Sequence, residues 1–145
     1  MSEIRPMKKS DIPDVLSLMK PHIESGKLLP RDEKKLIADM NDYVVFELDG
    51  GILACASLHF YPDGQAEIGA VTVSQKFESM GFGERVVTFL YEKAVSQNAE
   101  SVFILTTHAG EWFQKLGFKP SDVDSLPPER RAIWTPERGS KVFRK

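Results

Sequence analysis

The chain has 145 residues, of which 41% are hydrophobic and 28% charged, and a formal net charge of −2. That length can bury one core without staples, and the charge balance gives no reason to expect nucleic acid or an anionic membrane as a partner. Cys55 is the single cysteine, so no disulfide framework exists within the chain, and no run approaches the ~18 apolar residues of a membrane span. A cytoplasmic protein folded as one domain over residues 1–145 is expected.

Ile4–Pro6 reads as a short first strand. Ser10 or Asp11 then N-caps a helix running to about Ser25, with Pro13 in its first turn and Gly26 as its stop. Ile12, Val15, Leu16, Met19 and Ile23 recur on it at helical spacing. A second helix is expected from about Asp32 to Met40. The segment from Tyr43 to Val73 divides into three strands, with Asp49-Gly50-Gly51 and Pro62-Asp63-Gly64 as its hairpin turns.

A helix over about Gly83–Gln97 follows, with Val86, Val87, Leu90 and Val95 on one side. The near-continuous apolar run of "ESVFILTTH" predicts a central strand buried on both faces. A short helix over about Ala109–Leu116 ends at Gly117, the stretch "DVDSLPPERRA" reads as a loop, and "AIWTPERGSKVFRK" closes the chain with a last strand. The order β-αα-βββ-α-β-α-β implies a mixed α/β layer fold and not a doubly wound nucleotide fold.

Most chemistry points to the turn "ESMGFGE" between the third meander strand and the long helix. Free amides and the positive dipole end of a helix N-terminus attract a phosphate, and Gly81 and Gly83 let a backbone come close to one. The competing reading is a turn that uses glycine for geometry alone. No Lys-Ser/Thr follows the glycines, which counts against a Walker-type nucleotide site.

The element order, the strand Val71-Thr72-Val73, the turn Glu78-Ser79-Met80-Gly81-Phe82-Gly83 and the segment Trp112-Phe113 through Gly117-Phe118 together resemble the GNAT acetyltransferase family over essentially the whole chain. The resemblance implies a GNAT fold of class α/β (α+β): a central mixed, mostly antiparallel sheet flanked by helices. It also implies acetyl-CoA as co-substrate, held by Val71, Thr72, Val73 and the residues Glu78, Ser79, Met80, Gly81, Phe82 and Gly83, with Trp112 and Phe113 packing the core or lining the CoA arm. Glu78 departs from the family pattern, which usually opens this turn on Arg or Gln. Lys76 or Arg85 is expected to offset its charge.

Three longer stretches narrow the resemblance to the acetyltransferase domain of the N-acetylglutamate synthases: "ESGKLLPRDEKKL", "LTTHAGEWFQKLGF" with its continuation, and "PERGSKV". This implies acetyl transfer to the α-amine of L-glutamate, the first step of arginine biosynthesis, by direct attack in a ternary complex. Arg31, Arg138 and Ser140 stand where that family binds glutamate, and arginine forks suit its two carboxylates. The amino-acid-kinase-like domain that precedes the acetyltransferase in classical members is absent from these 145 residues.

Acyl transfer to an amine needs a base, a stabilised oxyanion and a leaving thiolate. Glu67 is the candidate base, against an exposed hairpin-end charge as the competing reading. A backbone amide near Val71 is the candidate oxyanion donor. Phe113 replaces the tyrosine that many GNAT enzymes use as acid, leaving Thr106 or Thr107, or a water they hold, to assist. His22, His59 and His108 are too scattered for a metal site, and no metal is expected. The expected partners are a small-molecule substrate and, left open, a second copy of the chain in a homodimer. Two rivals stand beside this reading: transfer to another small amine or amino acid, and a non-catalytic CoA-binding module.

Overall fold

The computed structural model describes residues 1–145. Seven strands form one sheet, with β1 Ser2–Pro6, β2 Tyr43–Leu48, β3 Gly51–Phe60, β4 Gln65–Val73, β5 Ser101–Thr106, β6 Lys119–Pro120 and β7 Lys141–Arg144, in the order β1-β2-β3-β4-β5-β7-β6. Every neighbouring pair is antiparallel except β4 and β5, so the sheet is mixed and mostly antiparallel, as expected. Five helices flank it: α1 Ile12–Glu24, α2 Glu33–Ala38, α3 Phe82–Ser96, α4 Gly110–Lys115 and α5 Pro128–Ile133. No helix is long and apolar enough to cross a membrane.

Local chemistry explains the element ends. Asp49 and Gly50 both have positive φ, 48° and 86°, which is the twist a two-residue hairpin needs between β2 and β3. Asp32 accepts from the Lys35 amide at 2.9 Å and starts α2. Gly26, at φ 80°, turns the chain after α1.

Two readings need correction. The stretch taken as a plain loop holds a 3-10 turn, Val123–Ser125, and the helix α5, started by Pro128 at its first position. On α3 the buried stripe is Val86, Val87, Leu90 and Ala94, whereas Val95 is 52% exposed: one residue further on rotates by about 100° and leaves the stripe.

The core has two main parts, one on each face of the sheet. Against α3 lie Val44, Phe46, Ala54, Ala56, Leu58, Ala66 and Ile68, while Tyr43, Val45 and Cys55 face α1 and α2 with Val15, Met19 and Leu36. A small third cluster, Phe103, Leu126 and Val142, lies under the segment leading into α5. Along β4 the alternation is interrupted. Ala66 and Ile68 face α3, but so do Val71 and Val73, and Ala70 faces α1. The cause is a bulge: the β3–β4 register shifts by one between Ser57↔Gly69 and Cys55↔Thr72, and Ala70 takes φ 53°.

At the start of the chain, Arg5 on β1 donates to both carboxylate oxygens of Asp11 at 2.7 and 2.9 Å and to Glu47 at 2.6 Å, with little exposure of either Arg5 or Asp11. Asp11 also accepts from the Lys8 amide. The Arg5 hydrogen bond holds the Asp11 carboxyl below its ordinary range. A depressed pKa in the folded state stabilises above the unfolded value and is lost as pH falls through the folded one. Replacement by Asn (Asp11→Asn) is therefore expected to cost about 1.5–3 kcal/mol at pH 7. In urea unfolding, the gap from wild type should close as the pH drops below about 4.

Candidate active site

β4 and β5 pair over only three residues, Gln65↔Ser101, Ala66↔Val102 and Glu67↔Phe103. Beyond Glu67 they part, so β4 from Ile68 to Val73 has no strand on that edge and presents backbone groups to a cleft. The cavity there has a volume of about 990 Å³ and is lined by residues from both sides of the parting, among them Arg31, Glu67, Val71, Thr106, Trp112 and Arg138.

Glu67 faces this cavity with its side chain only 15% exposed, so the reading of an exposed hairpin-end charge does not hold. Tyr61 donates its hydroxyl to Glu67 Oε1 at 2.7 Å, and Arg130 Nε donates to Oε1 at 3.0 Å and Oε2 at 3.2 Å. Tyr61 stacks on Phe103, and burial with the adjacent carboxylate pushes its phenol well above the ordinary tyrosine range. Sequence reasoning missed both partners. Arg130 lies on the helix read as a loop, and Tyr61 precedes a hairpin turn with nothing around it to single it out.

The three candidate substrate residues converge on the same cavity from distant parts of the chain. Arg31 does not cap α2, which Asp32 does, and its Nη1 is buried with no hydrogen-bond partner. Arg138 is half-buried and makes no hydrogen bond or ion pair. Ser140 is buried, and its carbonyl accepts from Trp134 Nε1 at 3.0 Å. Two guanidinium groups facing one cavity without carboxylate partners are an unmet demand for anions.

Thr106 ends β5 and its hydroxyl oxygen accepts from the amides of His108 at 3.3 Å and Ala109 at 3.0 Å, which leaves the hydroxyl proton to donate. Thr107 Oγ1 lies 3.3 Å from His108 Nδ1. His108 lines the cavity as well. Burial, with Lys27, His22 and Arg138 nearby, lowers its pKa from the ordinary 6.5. Cys55 is buried at the sheet, and burial pushes its thiol up to about 12, so it is an inert apolar residue.

The glycine turn lies on the α3 side. Gly81 is the N-cap of α3 at φ 86°, with no side chain bonded to the helix end. The amides of Phe82, Gly83 and Glu84 have no hydrogen-bond partner within the chain. Gly81 lies in open space, whereas Gly83 is buried against Val73 and Trp112, where a Cβ would come within 3.2 and 3.3 Å. Gly83 thus serves helix packing, and Gly81 the backbone direction.

Not every residue of the motif faces the cleft. Phe82 packs on Phe46 at 5.0 Å between ring centres, and Thr72 is buried with its hydroxyl bonded to the Ala70 carbonyl, whereas Phe113, though buried, also lines the cavity. The Val73 carbonyl is bonded to His22 Nε2 at 3.0 Å. Trp112 stays 37% exposed beside the turn, and Ser79 and Met80 in the turn are exposed as well. Glu78 is exposed and unpaired; the expected offset by Arg85 is not made, because that guanidinium lies over the Phe46 ring at 4.7 Å.

The model of the acetyltransferase (GNAT) family matches residues 11–118. The chain belongs to the GNAT acetyltransferase family. It is similar to the amino-acid acetyltransferase of Actinobacillus pleuropneumoniae, with 34% identity over 141 residues, covering 97% of this chain and 32% of that protein. A similar match to the amino-acid acetyltransferase of Ralstonia nicotianae has 34% identity over 143 residues, covering 98% of this chain and 32% of that one. The chain thus spans about a third of the length of these curated relatives.

Among solved structures, N-acetylglutamate synthase from Neisseria gonorrhoeae, complexed with coenzyme A and N-acetyl-glutamate, superposes with a TM-score of 0.95 at 31% identity, covering all of this chain and 35% of that one. A GNAT acetyltransferase from Staphylococcus aureus, at 9% identity and a TM-score of 0.82, shares the fold over nearly its whole length, covering all of this chain and 98% of that one.

The electrostatics of the cavity predict that His108 titrates below 6.5 in an NMR pH titration, and that Arg138→Ala moves the midpoint part of the way back by removing one nearby cation.

Proposed function

We propose that this domain transfers the acetyl group of acetyl-CoA to the α-amine of L-glutamate by direct attack within a ternary complex. The observation that carries the reading is the pair of unpartnered guanidinium groups, Arg31 and Arg138, in the cavity that also holds Glu67. A dicarboxylate with an amine between its charges suits that set: two cations for the carboxylates, one carboxylate for the ammonium. The likeness to amino-acid acetyltransferases and to an N-acetylglutamate synthase bound to coenzyme A and N-acetyl-glutamate supports the choice.

Each step has a candidate group. The free amides at the start of α3 hold the CoA pyrophosphate by backbone alone, so Glu78, exposed and outside that set of amides, weakens binding without abolishing it. The thioester enters the parting between β4 and β5. Glu67 takes a proton from the ammonium, and the neutral amine attacks the thioester carbon. An amide on the open edge of β4 near Val71 receives the oxyanion, and as the intermediate collapses the thiolate leaves and takes up the second N–H proton of the attacking nitrogen, giving the neutral amide and free thiol. Thr106, whose hydroxyl proton is free, donates to the departing sulfur.

Steady-state kinetics of thiol release on three variants test this assignment. Arg31→Ala and Arg138→Ala should each raise the glutamate KM about 10- to 100-fold, the worth of a charge-assisted hydrogen-bond pair, while the acetyl-CoA KM stays near wild type. Glu67→Gln should lower kcat by about 10²–10⁴-fold. Equal changes in both KM values would remove the carboxylate clamp, and an unchanged kcat in Glu67→Gln would remove the base.

A further inference from the structure

We infer that His22 is a positioning residue for the acceptor substrate, because its ring ties the segment that carries Arg31 to the end of β4, the strand that also carries Glu67. The inference rests on the reading of Arg31 as part of the carboxylate clamp and adds how that clamp is aimed.

Arg31 sits on a connection that has few bonds of its own. After α1 the amides of Lys27 and Leu28 both donate to the His22 carbonyl, at 3.0 and 3.1 Å, and the Ser25 hydroxyl donates to it at 3.2 Å. At the other end Asp32 caps α2. From Leu29 through Arg31 no backbone group makes a hydrogen bond within the chain. These residues nevertheless line the cavity, together with Lys27 and Leu28, apart from Pro30. The direction of Arg31 is therefore set by the two ends of the connection, and at the α1 end the fixed point is His22.

The ring of His22 is in turn fixed to the sheet. Its Nε2 lies 3.0 Å from the Val73 carbonyl, which can only accept, so Nε2 carries the proton and donates. No other side chain of α1 hydrogen-bonds to another element; Ile12, Val15 and Met19 meet the sheet by apolar packing. Apolar packing has no direction, whereas a hydrogen bond does, so this bond fixes where the last turn of α1 ends. That turn needs the support. Pro21, directly before His22, lacks the N–H that would close on the Ser17 carbonyl. Val73 is a firm attachment, paired with Ala54 on β3 and lying against Gly83 of α3. The clamp and the base thus take their positions from one strand, Glu67 directly and Arg31 through Val73 and His22.

Thiol-release kinetics on His22→Ala, His22→Gln, Arg31→Ala and the variant carrying both alanines test the inference. Loss of the ring should raise the glutamate KM about 3- to 10-fold, the worth of one ordinary hydrogen bond, with the acetyl-CoA KM close to wild type. A glutamine amide can donate to the same carbonyl, so His22→Gln should restore most of the affinity. Because His22 acts through Arg31, the double variant should have the glutamate KM of Arg31→Ala alone. Amide hydrogen exchange supplies a second readout: Lys27 and Leu28 should exchange faster in His22→Ala and return toward wild type in His22→Gln. Should His22→Ala fail to fold, His22→Leu, which fills the space without a donor, takes its place.

Glutamate KM effects that multiply in the double variant overturn the inference. So does a glutamate KM that ignores the loss of the ring, or a rise shared equally by acetyl-CoA, since His22 would then only dock α1. If the wild type acetylates no glutamate, the proposed function falls. Amide exchange then decides alone, and equal exchange in wild type and His22→Ala overturns the inference.

Discussion

The structure depends on one interruption: two parallel strands that hydrogen-bond for three residues and then separate. A sheet strand with an open edge inside the molecule is costly unless something else meets its amides and carbonyls. Here that edge becomes a wall of the cleft. The cavity beside it holds Arg31, Arg138 and Glu67, and Trp112, which also lines it, packs on Gly83 next to the unbonded amides of Phe82, Gly83 and Glu84. The bulge at Ala70 belongs to the same device, because it turns Val71 and Val73 toward α3 while Glu67 and Gly69 stay on the opposite face.

Charges in the cavity sort by whether they are already paired. Lys35 is bonded to Asp39, His59 to Asp42 and Arg130 to Glu67, so these groups are largely compensated. Arg31 and Arg138 are not. A half-buried guanidinium without a partner opposes folding unless a ligand or water satisfies it, and two of them facing one space are the basis of the carboxylate clamp proposed above. The Arg130–Glu67 pair has a different effect: it reaches across from α5 and fixes a carboxylate that would otherwise rotate freely at the strand surface.

Much of the fold was legible because local chemistry and tertiary packing agree in it. The Asp49-Gly50 turn, the Gly26 stop and the apolar run of β5 each carry a signal of short range. The glycine turn was legible too, and the structure adds a second reason for Gly83, the close packing of Val73 and Trp112 against it. Readings failed where the outcome depends on distant residues. Val95 looked like part of a helical stripe until Ala94 proved to face the sheet, and "LPPER" looked like a loop because six helical residues are too few to leave a periodicity. Tyr61 and Arg130 gave no signal, since their significance is their contact with Glu67, 63 residues from Arg130 in the chain. Arg31 and Arg138 were reached through resemblance; nothing in their own neighbourhood distinguishes a clamp from a solvated charge.

The most direct measurement is the initial rate of thiol release from acetyl-CoA across a panel of L-glutamate, L-aspartate, L-glutamine and a polyamine. On the proposed reading, the unpartnered guanidinium groups of Arg31 and Arg138, in the cavity that also holds Glu67, predict release that depends on L-glutamate, with weaker rates for the shorter dicarboxylate and for the amide. Release supported as well by glutamine or the polyamine as by glutamate, or by none of them although acetyl-CoA binds, would contradict that prediction.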